Sequence, residues 1–309
     1  GNDYAIAVRK PDGDIEVKKD TYVSIARKHK FLGLPFIRGI FSFIDSMVVG
    51  MRALTWSCSF FEDDEEAQPS RFEAWLDKVF GEKLESVLMS VVMVFSFVMA
   101  IGIFMVLPLL IARFCKSFIP SETVMAILEG VIRIVIFIGY IKLVSRMEDI
   151  KRTFMYHGSE HKCINCLEHG LELTVANVRA SSKEHKRCGT SFILIVMIIS
   201  ILFFMVVRPE TLWMRIVSRI VLIPAIAGVS YELLRFAGRH DSRLVNILSR
   251  PGMWMQGLTT KEPDDNMIEV AIAAVETVFD WRNYLNEEFP GWESRNDVTA
   301  ASGSGNGTT

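Results

Sequence analysis

Hydrophobic residues fall into long blocks separated by polar stretches. The longest block, Ser86 to Ala112, contains no charged residue. At about 1.5 Å rise per residue, roughly 20 residues cross the hydrocarbon of a bilayer, so this block has length to spare. A second block runs from Val124 to Ile141, a third from Gly189 to Val207, and a fourth from Ile216 to Leu234. The pattern predicts a mainly α protein, a polytopic membrane helix bundle of about four spans. Glu129 and Arg133 lie four apart in the second block, adjacent on one helix face. The fourth carries Arg219 near one end and Glu232 near the other.

The flanking segments follow other periods. Residues 1–30 predict a small soluble cap. Its hairpin covers Tyr4 to Tyr22, with Pro11-Asp12-Gly13 supplying the fixed and permissive φ values of a tight turn. Residues 31–57 predict an amphipathic or interfacial helix. Arg38, Asp45 and Arg52 recur every seven residues and share one stripe on an otherwise apolar surface. An acidic linker (58–85) precedes spans one and two (86–143). A cytoplasmic His/Cys loop (144–188) leads to spans three and four (189–234). The tail (235–285) holds an amphipathic helix over Pro263 to Asn283, and 286–309 is small, polar and expected to be disordered.

Charge sets the orientation. The segment between spans two and three holds Arg146, Lys151, Arg152, Lys162, Arg179, Lys183, Lys186 and Arg187, whereas the loops after spans one and three hold two basic residues each. The positive-inside rule places that long segment, and with four spans both termini, in the cytoplasm. The expected location is the inner (cytoplasmic) membrane, with the lipid bilayer as the first partner. Half of the residues are hydrophobic and the mean hydropathy is +0.29, above the soluble norm. A net charge of -2 without a basic domain argues against nucleic-acid binding. Five scattered cysteines suggest reduced thiols rather than a disulfide framework. The opening residues lack the apolar core of a signal peptide. Because the chain opens on Gly1, the natural N-terminus is expected to lie upstream.

The chemistry gathers in residues 144–188. His157-Gly158-Ser159-Glu160-His161 has the H-x-x-E-H spacing, which puts both imidazoles and the carboxylate on one helix face. Two imidazoles one turn apart can hold a divalent metal, and Glu160 between them can serve as catalytic base. Cys163-Ile164-Asn165-Cys166, His185 and Cys188 follow. Thiolate and imidazole donors favour zinc. Topology also returns Glu232 to the same membrane boundary. The candidate metal ligands are therefore His157, His161, His185, Cys188 and Glu232. Each has a plainer reading: solvated loop residues, small buried thiols at Cys163 and Cys166, and a Glu232–Arg235 pair.

The strings MYHGSEHKCINCLEHGLELTVANVR and HKRCGTSF closely resemble the bacterial YqhQ-like membrane protein family. So do AVRKPDGDIEV, PFIRGIFSFIDSMVVGMRAL, GVSYELLR and PGMWMQGLTTKEPDDNMIEVAIAAV, in the same order from residue 4 to about 280. The family has no established function and has been labelled a predicted metal-dependent enzyme. The resemblance points to His157, Glu160, His161, His185, Cys188 and Glu232 as motif positions, whereas Cys163 and His169 look particular to this chain. Family members usually carry GGQAVIEGVMMRG before the hairpin. That motif, with its acidic residue, is not in this sequence.

Three functions compete. The first is a metal-dependent hydrolase acting at the membrane interface. The second is a non-enzymatic accessory factor for membrane-protein insertion or assembly, with a membrane-protein partner and a structural metal or none. The third is a transporter, encouraged only by Glu129 and Arg133.

Overall fold

The computed structural model describes residues 2–28, 30–61, 84–119, 121–185, 188–237 and 242–292. The chain begins with an antiparallel hairpin of β1 (Asp3–Arg9) and β2 (Ile15–Thr21). A single helical turn, α1 (Ile25–Lys28), leads to the long helix α2 (Ile37–Cys58). The charged stripe of α2 turns inward. Arg38 Nε donates to Glu232 at 2.7 Å, and Arg52 stacks over the Tyr22 ring at 5.5 Å. Asp45 is buried and accepts from Tyr22 Oη at 2.8 Å, Ser24 Oγ at 2.5 Å and the Ile25 amide at 3.1 Å. The stripe is therefore the seam that fastens α2 to the hairpin and to the fourth apolar block. The acidic linker falls largely on residues 62–83, outside the described residues.

The next described helix is α3 (Leu84–Ile101), which passes through a π-helical turn at Gly102–Val106 into α4 (Leu107–Phe114). Val91, Phe95 and Phe97 on α3 are 59–64% exposed. An uncharged surface of that size suits hydrocarbon better than water. Helix α5 (Glu122–Val144) packs on α4 and on α8 (Gly189–Val206). A Cβ on Gly130 would lie 2.2 Å from Ile201 Cγ1, so only glycine allows α5 and α8 this spacing. The fourth block divides into α9 (Leu212–Val221) and α10 (Ile223–Ala237), bent by 44°. Pro224, which has no N–H to continue the ladder, sits at the break.

Among the described residues, two helices, Val91–Ser117 and Glu122–Val144, are long and apolar enough to cross a membrane, or three if the bent pair forms one span. That is compatible with a membrane protein. Helix α8 (Gly189–Val206) is apolar along its length, with 18 residues that rise about 27 Å.

The 144–188 stretch, expected as a loop, is largely helical. Helix α6 (Glu148–Glu168) and α7 (Val175–Ala180) pack against α12 (Asp265–Val278) and α13 (Trp281–Glu288), preceded by α11 (Arg243–Thr259). The single terminal helix expected over 263–283 stops at Val278. Asp280 then caps a new helix by accepting from the Asn283 amide at 3.1 Å. Together these elements enclose a core of Cys163, Cys166, Leu167, Leu173, Val178, Ile268, Trp281 and Leu285.

A charged knot ties the apolar helices together. Glu129 accepts from Arg133 Nη2 at 2.9 Å and from Arg219 Nε at 2.9 Å, all three residues being buried. Arg133 also donates to Ser200 Oγ at 2.8 Å and to the Phe104 carbonyl at 2.9 Å. That carbonyl is free because the residue four positions on is Pro108, which has no N–H. Glu129→Ala strands two buried guanidinium groups. It should cost about 3–5 kcal/mol, read as a lower unfolding midpoint in detergent, whereas Glu122→Ala at the exposed end of α5 should cost less than about 1 kcal/mol.

Candidate metal centre

Helix α6 presents two opposite faces. Positions 157 and 161 share one, and positions 163 and 166 fall on the other. The second face is the apolar core described above. Burial in that core pushes Cys163 up to about 12 and Cys166 up to about 11, so both remain protonated thiols. The C-x-x-C pair is therefore packing, the plainer of the two sequence readings.

On the first face, backbone carbonyls from two different segments grip the imidazoles. His157 Nδ1 donates to Thr259 O at 3.1 Å, and His161 Nδ1 donates to Lys183 O at 2.7 Å. A carbonyl can only accept, so each ring carries its proton on Nδ1 in these bonds. The two Nε2 atoms remain for a ligand. His157 Nε2 lies 3.2 Å from Cys188 Sγ, and the rings of His157 and His161 are 4.4 Å apart. One ligand atom each from His157, His161 and Cys188 falls within 4.8 Å of the others, so this group can hold a metal ion.

Gly158 makes the first grip feasible. The Lys261 carbonyl would lie 2.2 Å from a Cβ at that position, and Lys261 N–H donates to Phe154 O at 2.9 Å. A glycine that weakens a helix in isolation is here the only residue that lets the 259–263 strand of chain touch α6. The second grip is a row of side-chain donors. Lys162 Nζ bonds the carbonyls of Arg179 and Ser181, both at 2.8 Å, and Asn165 Nδ2 bonds those of Ser182 at 2.7 Å and Glu184 at 2.9 Å. Gln256 on α11 then clasps His185 on both backbone sides, accepting from its N–H at 2.8 Å and donating to its carbonyl at 2.7 Å. These ties deliver Cys188 to the histidines. Nothing in the spacing singles out Lys162, Asn165 or Gln256, because each acts on backbone groups that a sequence does not display.

Cys188 caps the N-terminus of α8 and accepts from the Thr190 amide at 3.4 Å, with Thr190 Oγ1 at 3.1 Å. Burial alone would raise this thiol. Hydrogen bonds from His157, His161 and Thr190 outweigh it and lower the thiol to about 5. Burial likewise works against a charged His157, but Cys188, the Thr259 carbonyl and Glu160 together raise its pKa. The contact between them therefore acts on both groups, lowering the Cys188 thiol and raising the His157 imidazole.

The remaining expected ligands stand elsewhere. His185 is near, its ring 5.9 Å from that of His161, but its Nε2 contacts Glu168 Oε2 at 3.1 Å and it is not part of the converging group. Glu232 is taken up by Arg38 and by the Phe36 amide at 3.3 Å. The α2 seam uses its charge, so of the five expected ligands the converging group holds His157, His161 and Cys188, without His185 and Glu232. Glu160 is exposed and lines, with His157, a groove of about 620 Å³ between α6, β1 and the end of α2.

Two outcomes follow. Gly158→Ala should lower stability by about 1–3 kcal/mol by overpacking against Lys261, read as a lower unfolding midpoint. In metal-free protein, thiolate ultraviolet absorbance should persist as the pH falls until about pH 5, then disappear. Cys188→Ala should abolish that step, while Cys163→Ala leaves it in place.

A family model described as "Protein of unknown function (DUF1385)" matches residues 34–281. The "Uncharacterized protein YqhQ" of Bacillus subtilis (strain 168) is 33% identical over 280 residues, covering 87% of this chain and 84% of that protein. No solved structure matches the chain. With its site residues inside the matched range and the similarity running along most of its length, the chain belongs to the DUF1385 family.

Proposed function

We propose that the protein is a membrane-bound hydrolase that holds one zinc ion between His157, His161 and Cys188 on the cytoplasmic side of the inner membrane, with Glu160 as general base. The carrying observation is the convergence of two tautomer-fixed Nε2 atoms on one thiolate beside a carboxylate-lined groove. The donor set fits the metal. Tetrahedral zinc with bonds of about 2.0 Å to nitrogen and about 2.3 Å to sulfur places those atoms roughly 3.5 Å apart, and His157 Nε2 and Cys188 Sγ already stand 3.2 Å apart. Three protein ligands leave a coordination position open, which is the pattern of catalytic rather than structural zinc sites.

When bound, zinc supplies Lewis-acid polarisation and activates water near neutral pH. The chain supplies the rest. The Thr259 and Lys183 carbonyls hold the imidazoles in the ligating tautomer and strengthen them as donors. Glu160, one turn from His157 and open to the groove, is placed to take a proton from the attacking water and pass it to the leaving group. The basic residues clustered in 144–188 support the cytoplasmic orientation.

Metal analysis of protein purified without chelator should find about one zinc per chain, lost in His157→Ala and Cys188→Ala and retained in Glu232→Gln. Glu160→Gln should keep the metal and reduce hydrolysis by about 10²–10⁴-fold. Folded protein that neither contains zinc nor takes it up would end this reading.

A further inference from the structure

Among the described residues, the outer edge of β1 pairs with no other strand and lies beside the proposed metal site. Its register runs from Asp3↔Thr21 to Arg9↔Ile15. Tyr22 N–H donates to Asn2 O at 2.8 Å, and Lys10 N–H donates to Asp14 O at 2.9 Å. Hydrogen-bonded and non-bonded pairs alternate in an antiparallel ladder, so the even-numbered residues of β1 bond to β2. The N–H and C=O groups of Ala5 and Ala7 therefore point away from β2. Among the described residues, no other element bonds to them.

The two faces of the hairpin are already covered. Arg9 pairs with Glu269 of α12 at 2.6 Å, and Lys18 Nζ lies over the Trp56 ring of α2 at 5.9 Å. The outer edge of β1 remains, and Ala5 to Arg9 line the same groove as His157 and Glu160. Natural sheets protect open edges with lysine, proline or inward charge. The β2 edge has Lys18 and Lys19, whereas β1 offers Ala5-Ile6-Ala7-Val8, with small side chains and no charge. An edge left unguarded next to candidate chemistry is fitted to receive another strand.

We propose that an extended polypeptide segment adds to β1 as a further strand, bonding to Ala5 and Ala7 and passing His157 and Glu160. The ladder supplies sequence-independent affinity, and the apolar wall of Leu54 and Phe61 receives side chains. The substrate class of the hydrolysis is then a polypeptide. Water adds across the C–N bond, with hydroxyl to the carbonyl carbon and, through Glu160, a proton to the leaving amine. The cleavage step rests on the hydrolase reading, but the strand pairing needs no metal.

The test uses full-length Glu160→Gln protein in lipid nanodiscs and a fluorescent nonapeptide of alternating valine and serine with terminal lysines. Anisotropy should rise saturably with the plain peptide. Methylation of alternate backbone nitrogens should weaken binding at least about tenfold. Ala7→Pro should do the same while preserving the hairpin, because the lost N–H faces outward. If Ala7→Pro disturbs the fold, seen as lost helicity, the methylated peptide decides alone. Failure of the plain peptide to bind, or equal binding after methylation, would overturn the proposal. His157→Ala protein should still bind the peptide; persistent binding without zinc uptake or hydrolysis would remove the hydrolase reading and leave the strand pairing in place.

Discussion

Two histidines on one helix cannot make a metal site unless something holds both rings in the same tautomer and turns them toward the same point. In this protein two main-chain carbonyls from different segments do that, Thr259 O on His157 and Lys183 O on His161. Each carbonyl has to be brought there by its own segment. Gly158 opens the surface of α6 to residues 259–263, while Lys162 and Asn165 tie down 179–184. Such carbonyl contacts act as the outer shell that orients metal-binding imidazoles, and their partners matter nearly as much as the ligands themselves. The position of Cys188 depends on the same row of bonds, so the helix organises both the histidines and the thiol that joins them.

A second organising principle operates among the apolar helices. Glu129, Arg133 and Arg219 carry two positive charges against one negative in an apolar bundle, which would be costly unless every donor were satisfied. The chain recruits Ser200 and the carbonyl released by Pro108, and the ring of Phe204 lies 5.1 Å and 4.6 Å from the two guanidinium carbons. The proline that disturbs one helix thus supplies the acceptor that stabilises another. The knot joins α5, α8 and α9, and α8 begins at Cys188. A rigid bundle therefore anchors the far end of the helix whose first turn presents the thiolate.

Local patterns made part of this legible in the sequence. The hairpin followed from Pro11-Asp12-Gly13, the shared stripe on α2 from the seven-residue spacing of Arg38, Asp45 and Arg52, and the shared face of His157 and His161 from their i, i+4 spacing. Pairings between distant segments were not legible. Glu232 has the composition of a ligand, but Arg38, 194 residues away, takes its carboxylate. His185 is close in sequence to Cys188, yet Glu168 and the Gln256 clasp engage it. Hydropathy alone also does not show the 44° bend that divides the fourth apolar block near Pro224.

The burial of the thiols distinguishes a reactive centre from packing more sharply than any motif does. Cys163, Cys166 and Cys188 are all buried. Yet Cys163 and Cys166 face hydrocarbon and are driven upward, whereas Cys188 sits at a helix N-terminus under two imidazoles and is driven down to about 5. Burial without donors suppresses the anion, and burial with aligned donors preserves it. A thiol whose proton is held weakly by its surroundings is the form a divalent cation binds most readily, because the ligand must be deprotonated to coordinate. His157 lines a groove together with the exposed Glu160 carboxylate and the β1 strand, so the face of α6 that carries the imidazoles also meets solvent, whereas the face that carries Cys163 and Cys166 meets only packed side chains.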